Sequence, residues 1–276
     1  RQMCIRDREK RIMIPNRLKE NNIKMFREMI ALYNRTLKAE DHLVTNEYFP
    51  VDKILKPVFS QNTEKTCKII VDNQKSFEMA RDYALAGKKV CVLNFASATN
   101  PGGGVETGAN AQEEDLCRCS TLYPHLVKQA VSGYYKVHRA AHNTLYDDAC
   151  IYTSHVIVAR DDRSELLFSP SDYYTVDVIT CAAPNLRRTK IPNNKLYDLH
   201  KSRARRILDV AAYEGADVII LGAFGCGAFL NDPEVVAKAY RDVIKAYQHA
   251  FDVIGFAVYD TGIGRNKYNI FHDILK

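Results

Sequence analysis

Residues 88–104 read KKVCVLNFASATNPGGG. The first half of this stretch is almost continuously apolar and rich in β-branched residues, which is typical of a strand covered on both faces of a sheet. The second half ends in three consecutive glycines, although glycine loses more backbone entropy on folding than any other residue. A buried strand that leads directly into a glycine turn predicts an α/β domain with a ligand site at the end of that strand.

Similar apolar runs recur along the chain and alternate with amphipathic segments of helical period. Further strands are predicted at 68–71, 149–159, 174–183, 216–224 and 251–259. Helices are predicted at 18–38, between the first strand and Leu85, at 195–214, at 233–250 and near 265–275. This alternation of strand and helix predicts an α/β layer fold with a parallel or mixed sheet.

The chain divides into three predicted parts. Residues 1–14 show no clear periodicity and are predicted to be a disordered or extraneous leader. Residues 15–60 are predicted to form an N-terminal helical extension. Residues 61–276 then contain the α/β domain, without an internal repeat or a convincing interdomain linker.

The cysteines and the hydropathy pattern limit the class of protein. Eight cysteines are scattered along the chain, and several lie inside apolar runs, as buried reduced thiols of intracellular proteins do. Cys117 and Cys119 with His125 fit no common zinc spacing, so we predict no metal site. No apolar run reaches the ~18–20 residues of a membrane span. We therefore expect a soluble, intracellular monomer that does not bind membranes, in either the cytoplasm or the nucleus.

The charge of the chain favours polyanions only mildly. There are 39 Lys and Arg against 33 Asp and Glu, which gives a formal net charge of +6. The basic run at 201–206 lies in a predicted helix, and a solvated helix face explains it better than a dedicated nucleic-acid patch.

A second glycine-rich loop follows the predicted strand at 216–224. Residues 222–234 read GAFGCGAFLNDPE and end in a helix start, where Asn231 or Asp232 can cap the helix and Pro233 suits its first position. Such turns present backbone N–H groups to phosphate oxygens with no Cβ in the way. Two of them in one α/β domain predict a ligand with a diphosphate. Neither matches the P-loop or the dinucleotide-binding pattern.

Two adjacent glutamates follow the glycine turn after a short spacer, and two interpretations of them stay open. In the structural one, a helix starts near Asn110 as its cap, Glu113 completes a capping box, and Glu114 pairs with Arg118. In the functional one, a carboxyl group is held against a bound sugar phosphate. Burial and negative charge favour the protonated form of such a group, which can then act as a general acid.

Together these motifs resemble the signature of the poly(ADP-ribose) glycohydrolases. The matching residues are the triglycine at 102–104, the Gln-Glu-Glu at 112–114 and the G-C-G-A-F at 225–229. Over about 67–260 the sequence is similar in particular to the compact microbial-type branch. The resemblance implies a macrodomain-like, three-layer α/β/α fold with a mixed sheet, which binds ADP-ribose without a metal or other cofactor.

The resemblance also implies roles for individual residues. Glu114 would be the catalytic acid, and Glu113 would hold ribose hydroxyls at the scissile linkage. The implied substrate-binding residues are Asn100, Gly102, Gly103, Gly104, Gln112, Gly225, Cys226, Gly227, Ala228 and Phe229. Among them, the glycines approach ribose and diphosphate, and Phe229 packs on the distal ribose.

The implied reaction is hydrolysis of ribose–ribose O-glycosidic bonds in poly(ADP-ribose), with ADP-ribose as the product. The expected partners are the polymer or an ADP-ribosylated protein, and a nucleic acid only as an ADP-ribosylated substrate. Two alternatives stay open: a hydrolase that removes single ADP-ribose units from protein or nucleic acid, and a non-catalytic ADP-ribose-binding module.

Overall fold

The computed structural model describes residues 2–56, 66–260 and 266–276, with side chains from Asn16 onward. The strands are β1 (Asn46–Phe49), β2 (Lys68–Asp72), β3 (Val90–Phe95), β4 (Cys150–Val158), β5 (Tyr174–Cys181), β6 (Val218–Gly222) and β7 (Val253–Ala257). The helices are α1 (Gln2–Arg35), α2 (Ser76–Leu85), α3 (Gln112–Cys119), α4 (Leu122–Leu126), α5 (Ser132–Ala141), α6 (Asn193–Tyr213), α7 (Pro233–Ile244) and α8 (Lys267–Leu275).

The strands form one mixed sheet in the order β1-β4-β5-β3-β6-β7-β2. Strands β5, β3, β6, β7 and β2 are parallel, whereas β4 is antiparallel to both of its neighbours. The carboxyl ends of β3, β5 and β6 therefore meet at the same edge of the sheet.

Strand β3 shows why the sheet is covered on both faces. Its successive side chains point to opposite faces: Cys91 and Leu93 pack in the core cluster that includes α6 and α7, whereas Val90 and Val92 pack in the cluster that includes α2, α3 and α5. The predicted three-layer α/β/α fold with a mixed sheet is confirmed.

The predicted strands are all present, but β1 was missed. Most strand ends lie one or two residues inside the predicted ones, whereas β2 extends one residue further, to Asp72. Strand β1 lies within the segment predicted as a helical extension, and it pairs antiparallel with β4, with Tyr48 opposite Ile151. Its four residues are followed by Pro50 and read locally as part of a turn-rich stretch. Only the partner about a hundred residues later makes them a strand, so the extension contributes to the sheet.

Two predicted boundaries cannot be compared with the structure. The boundary between residues 60 and 61 falls within 57–65, outside the described residues. The leader over 1–14 falls on residue 1 and on the part of α1 whose side chains are outside the described residues. Both stay predictions.

The basic run at 201–206 is only in part the solvated face that was expected, because Arg205 is exposed whereas Arg203 is buried. Arg203 is fully buried, forms an ion pair with Asp148 (Nε–Oδ1 2.7 Å) and donates to the carbonyl of Ala182 just beyond β5. Arg206 donates to the carbonyl of Lys53. These two guanidinium groups donate to loop carbonyls, a function that a count of charges cannot predict.

Cys117 and Cys119 are buried thiols in α3, and burial raises the pKa of each well above its usual value. They form no disulfide. Within the described residues, no group of three or more His, Cys, Asp or Glu side chains is placed to hold a metal ion. No helix in the described ranges combines the length and apolarity that crossing a membrane requires.

Candidate functional site

The two glycine-rich loops open at the same edge of the sheet. One follows Phe95 at the end of β3, and the other follows Gly222 at the end of β6. Because β3 pairs in parallel with both β5 and β6, these loops are neighbours. In open α/β sheets this edge is where ligands bind.

The triglycine turn lies directly against both glutamates. Gly102 and Gly103 have φ angles of +68° and +61°, which L-residues with side chains rarely adopt. A Cβ atom on Gly103 would lie 2.9 Å from Glu113 Oε2 and 3.1 Å from Glu114 Cδ. The glycines are therefore required both by the turn and by the close approach of two carboxyl groups.

Glu114 joins the first turn of α3 to the glycine turn. Its Oε1 accepts the backbone N–H of Gly104 at 2.9 Å, and its Oε2 accepts that of Ala111 at 3.0 Å. Its side chain is buried, with only 7% of the residue exposed. Two N–H donors aimed at one carboxyl group are an arrangement that suits a carboxylate.

This geometry corrects the predicted capping scheme. The cap of α3 is Ala111 and the helix begins at Gln112, one residue later than a cap at Asn110 implies. The third helical residue, which bonds back to the chain before the helix, is therefore Glu114 and not Glu113. Arg118 pairs with Asp115 (3.2 Å) instead of Glu114. It also donates to Asn110 Oδ1, which keeps Asn110 in the loop and away from a capping position.

Glu113 is buried beside the glycine turn, with 2% of the residue exposed. Its Oε2 accepts the backbone N–H of Ser97 at 2.7 Å, and the Asn94 amide lies 3.4 Å from its Oε1. Burial raises the pKa of Glu113 to about 8, and the nearby charge of Glu114 adds to the increase. At neutral pH the pair of glutamates therefore carries a proton on Glu113.

Gln112 makes three hydrogen bonds within the protein, and its predicted contact with substrate stays a prediction. Its Oε1 accepts the N–H of Phe95 (2.8 Å), and its amide donates to the carbonyl of Leu93 (2.8 Å) and to Ser76 Oγ (3.0 Å). Both amide hydrogens are therefore used, and Gln112 fixes the start of α3 to the end of β3. Asn100 is exposed, and its carbonyl accepts the N–H of Gly103 at 3.0 Å.

The second loop presents unpaired backbone donors. The N–H groups of Gly225, Gly227, Ala228 and Phe229 make no hydrogen bond within the described part of the chain. A Cβ atom on Gly227 would meet nothing within 4 Å, so the surface there is open. The predicted start of α7 is confirmed: Asp232 accepts the N–H of Glu234 at 2.9 Å, and Pro233 is the first helical residue.

Asn231, which the sequence offered as a helix cap, instead holds the second loop in shape. Its side-chain amide donates to the carbonyls of Pro184 (2.7 Å), Gly225 (3.0 Å) and Phe229 (3.2 Å). Its Oδ1 accepts from His200 Nε2 at 2.9 Å. Burial lowers the pKa of His200 to about 4, so this histidine is a neutral donor.

Several residues of the site were missed by sequence reasoning. Ser97 donates its N–H to Glu113, and its Oγ accepts the N–H groups of Thr99 and Asn100, so it shapes the approach to the glycines. Asn94 on β3 lies against Glu113, and Ser76 on α2 accepts a hydrogen bond from the Gln112 amide. No linear pattern marks these residues, because each acts through a contact that only the fold creates.

The fold and this site together define a macrodomain-like α/β protein with paired carboxyl groups beside a glycine turn. The family model for the microbial-type PARG catalytic domain matches residues 20–161, just over half of the chain. The chain belongs to this family, the microbial-type poly(ADP-ribose) glycohydrolases.

Solved structures of bacterial poly(ADP-ribose) glycohydrolases are similar over nearly the whole chain. The enzyme from Thermomonospora curvata is 28% identical, with a TM-score of 0.84 over 93% of this chain and 100% of that chain. The same enzyme bound to the inhibitor ADP-HPD is 29% identical, with a TM-score of 0.81 over 92% of this chain and 99% of that chain. The enzyme from Deinococcus radiodurans in complex with ADP-ribose is 32% identical, with a TM-score of 0.73 over 87% of this chain and 97% of that chain. No curated protein matches the chain significantly.

Proposed function

We propose that this enzyme hydrolyses the ribose–ribose O-glycosidic bonds of poly(ADP-ribose) and releases ADP-ribose. The observation that carries this proposal is the packing of two carboxyl groups against Gly103, beside a loop in which four backbone N–H groups have no partner among the described residues. Family membership and the similar structures with ADP-ribose and ADP-HPD support it.

The second loop binds the diphosphate of the substrate. The N–H groups of Gly225, Gly227, Ala228 and Phe229 donate to its oxygens, and the absence of a side chain at Gly227 lets the phosphate approach the backbone. Phe229, half-buried with its ring 6.5 Å from that of Tyr146, packs on the distal ribose. The turn at 102–104 faces the ribose and the diphosphate from the other side.

Glu114 acts as general acid and then as general base. The bound diphosphate adds negative charge beside it and excludes water, and both effects favour a protonated carboxyl group. As the C1″–O bond breaks, Glu114 gives its proton to the oxygen of the leaving ribose. The diphosphate stabilises the oxocarbenium-like centre. Water then adds to C1″ and returns a proton to Glu114, so the enzyme is restored.

Glu113 holds the ribose hydroxyls next to the scissile bond. A protonated carboxyl group can both donate and accept a hydrogen bond, and the raised pKa of Glu113 keeps it in that form at neutral pH. Its bonds from Ser97 and Asn94 fix its orientation before substrate arrives. This chemistry uses one carboxyl group at the reacting centre, unlike the two of most glycosidases.

The enzyme works as a monomer inside the cell, in the cytoplasm or the nucleus. Buried thiols such as Cys91, Cys150 and Cys181 without disulfides fit a reducing compartment. Light scattering of the purified chain tests the monomer, which should give a mass near 31.4 kDa.

The test of function is incubation with labelled poly(ADP-ribose), followed by separation of the products by size. We expect free ADP-ribose from the polymer and little release from a protein that carries a single unit. Release of the single unit at a comparable rate would favour the mono-ADP-ribosyl hydrolase. Tight ADP-ribose binding in calorimetry without any product would favour a binding module.

A further inference from the structure

The N-terminal helix α1 contacts the loop that carries the glycine turn. Asn22 is fully buried, and its Nδ2 donates to the carbonyl of Gly108 at 3.1 Å. Gly108 has a φ angle of +80°, and a Cβ atom there would lie 2.7 Å from Lys19 Cγ and 3.1 Å from Ile23 Cγ1. The loop backbone therefore rests directly on α1, a segment for which the proposed reaction requires no role.

The next two residues of the loop are held from the other side by α3. Arg118, which is 1% exposed, donates to the carbonyl of Ala109 at 2.8 Å and to Asn110 Oδ1 at 2.9 Å. Consecutive loop residues are thus fixed by two buried side chains from two different helices. The ion pair of Arg118 with Asp115 orients its guanidinium group.

This anchored segment lies between the two N–H groups that hold Glu114. Ala111, which follows it, donates to Glu114 Oε2, and Gly104, which precedes it, donates to Oε1. The segment also closes on itself, because the N–H of Ala109 bonds to the carbonyl of Gly104 at 3.1 Å. A shift of Gly108 would therefore move both donors of the Glu114 carboxyl group.

We infer that Asn22 is a positioning residue of the active site, which acts through Gly108 to fix the carboxyl group of Glu114. This inference rests on the proposed function. Stability alone does not favour an amide at this place: Asn22 Oδ1 has no hydrogen-bond partner in the described residues, and an unpaired buried polar atom is destabilising. The neighbouring buried side chains of α1, Met25 and Phe26, are apolar.

The test variant is Asn22→Leu, which keeps the number of side-chain heavy atoms and the branch at Cγ and removes the donor. We expect kcat to fall about tenfold, equivalent to ~1.4 kcal/mol. The Kd of ADP-ribose should change less than about threefold, because the second loop is untouched. Tm should fall by a few degrees at most, because the variant leaves the carbonyl of Gly108 without its donor. The matched control is Met29→Ala in the same helix, which packs with Tyr33 and Ile157. It should lower Tm and leave kcat unchanged.

An independent readout separates this inference from the proposed function. Hydrogen–deuterium exchange of the peptide over 104–111 should become faster in Asn22→Leu and stay unchanged in Met29→Ala, whatever substrate the enzyme acts on. A parent enzyme without activity on polymer, combined with this faster exchange, overturns the function and keeps the positioning role. Parent-level kcat and parent-level exchange in Asn22→Leu overturn the inference. A kcat loss in Met29→Ala as large as in Asn22→Leu overturns it too.

Discussion

Glu114 Oε1 lies 2.9 Å from the backbone nitrogen of Gly104, so the last glycine of one motif donates a hydrogen bond to the last glutamate of the other. The seven residues between the motifs form a closed loop that brings them into contact. This contact explains both locally unfavourable features of the sequence. The glycines give room to the carboxyl groups, and the glutamates bind the turn that the glycines form.

The first prediction concerns the acid that protonates the leaving group. Glu114→Gln should lower kcat on labelled poly(ADP-ribose) by about 10²–10⁴-fold, the range of a general acid. The Kd of ADP-ribose, measured by calorimetry, should stay within about threefold, because glutamine still fills the space beside Gly103. Turnover at the parent rate would remove Glu114 from the mechanism.

The second prediction is a dependence of stability on pH that originates at Glu113. The pKa of this group is raised from 4.5 to about 8 by burial, so folding takes up a proton in that range. The contribution to the free energy of unfolding is fully present below about pH 4.5 and is lost as pH rises through about 8. Its slope is at most ~1.4 kcal/mol per pH unit.

Glu113→Gln isolates that contribution, since glutamine is neutral at every pH. Urea titrations at pH 5 and pH 9 measure the unfolding free energy of both proteins. Relative to the parent, the variant should be more stable at pH 9 than at pH 5, because only the parent loses the contribution of Glu113. A pH-independent difference would mean that Glu113 does not hold a proton in the folded state. The same substitution should weaken ADP-ribose binding and lower kcat. Both Glu113 oxygens face donors, from Ser97 and Asn94, and the NH2 group of a glutamine cannot accept either bond, so the side chain leaves its position.

The third prediction separates backbone strain from contact at the glycine turn. Gly103→Ala and Gly87→Ala both place a side chain at positive φ, at +61° and +78°, which costs about 1–2 kcal/mol. Only the Cβ atom on Gly103 would press on Glu113 and Glu114, since that on Gly87 meets open space. Both variants should lose a few degrees of Tm, and only Gly103→Ala should lose activity. Equal kcat in the two variants would contradict the proposed site.

The fourth prediction tests the second loop with three ligands. Gly227→Ala should leave Tm unchanged, because its φ is not positive and its surroundings are open. It should weaken ADP-ribose and ADP about tenfold, or ~1.4 kcal/mol, because the added methyl group stands between the phosphate and the backbone. Binding of adenosine, which has no phosphate, serves as the control and should not change. An equal loss for all three ligands would place the diphosphate elsewhere.

Local pattern was sufficient for most of the fold. The apolar run at 90–95 and its counterparts predicted strands buried on both faces, because a side-chain period of two between two core layers leaves little room for polar residues. The start of α7 at Asp232 and Pro233 also followed from local capping chemistry. Strand β1 did not, because four residues with a partner a hundred positions away carry no signal of their own.

The candidate site likewise contains features that the sequence predicted and contacts that it did not. The residue types at 102–104, 112–114 and 225–229 were sufficient to predict two glycine loops and a pair of carboxyl groups, because those chemical requirements are local. Their supporting contacts were not predictable. Arg118 pairs with Asp115 and holds the loop, whereas the structural interpretation of the glutamates had paired it with Glu114. The bonds by which Gln112 fixes β3 to α3 were not predicted either.

The sequence by itself determined the class of fold, the family and the residues that can carry out the chemistry, because strand period, glycine turns and helix starts are set by neighbouring residues. Only the tertiary structure decided which oxygen of Glu114 meets which N–H, why Glu113 holds a proton, and that Asn22 of α1 supports the turn. Burial and hydrogen-bond partners come from segments distant in the chain, and distance along the sequence says nothing about them.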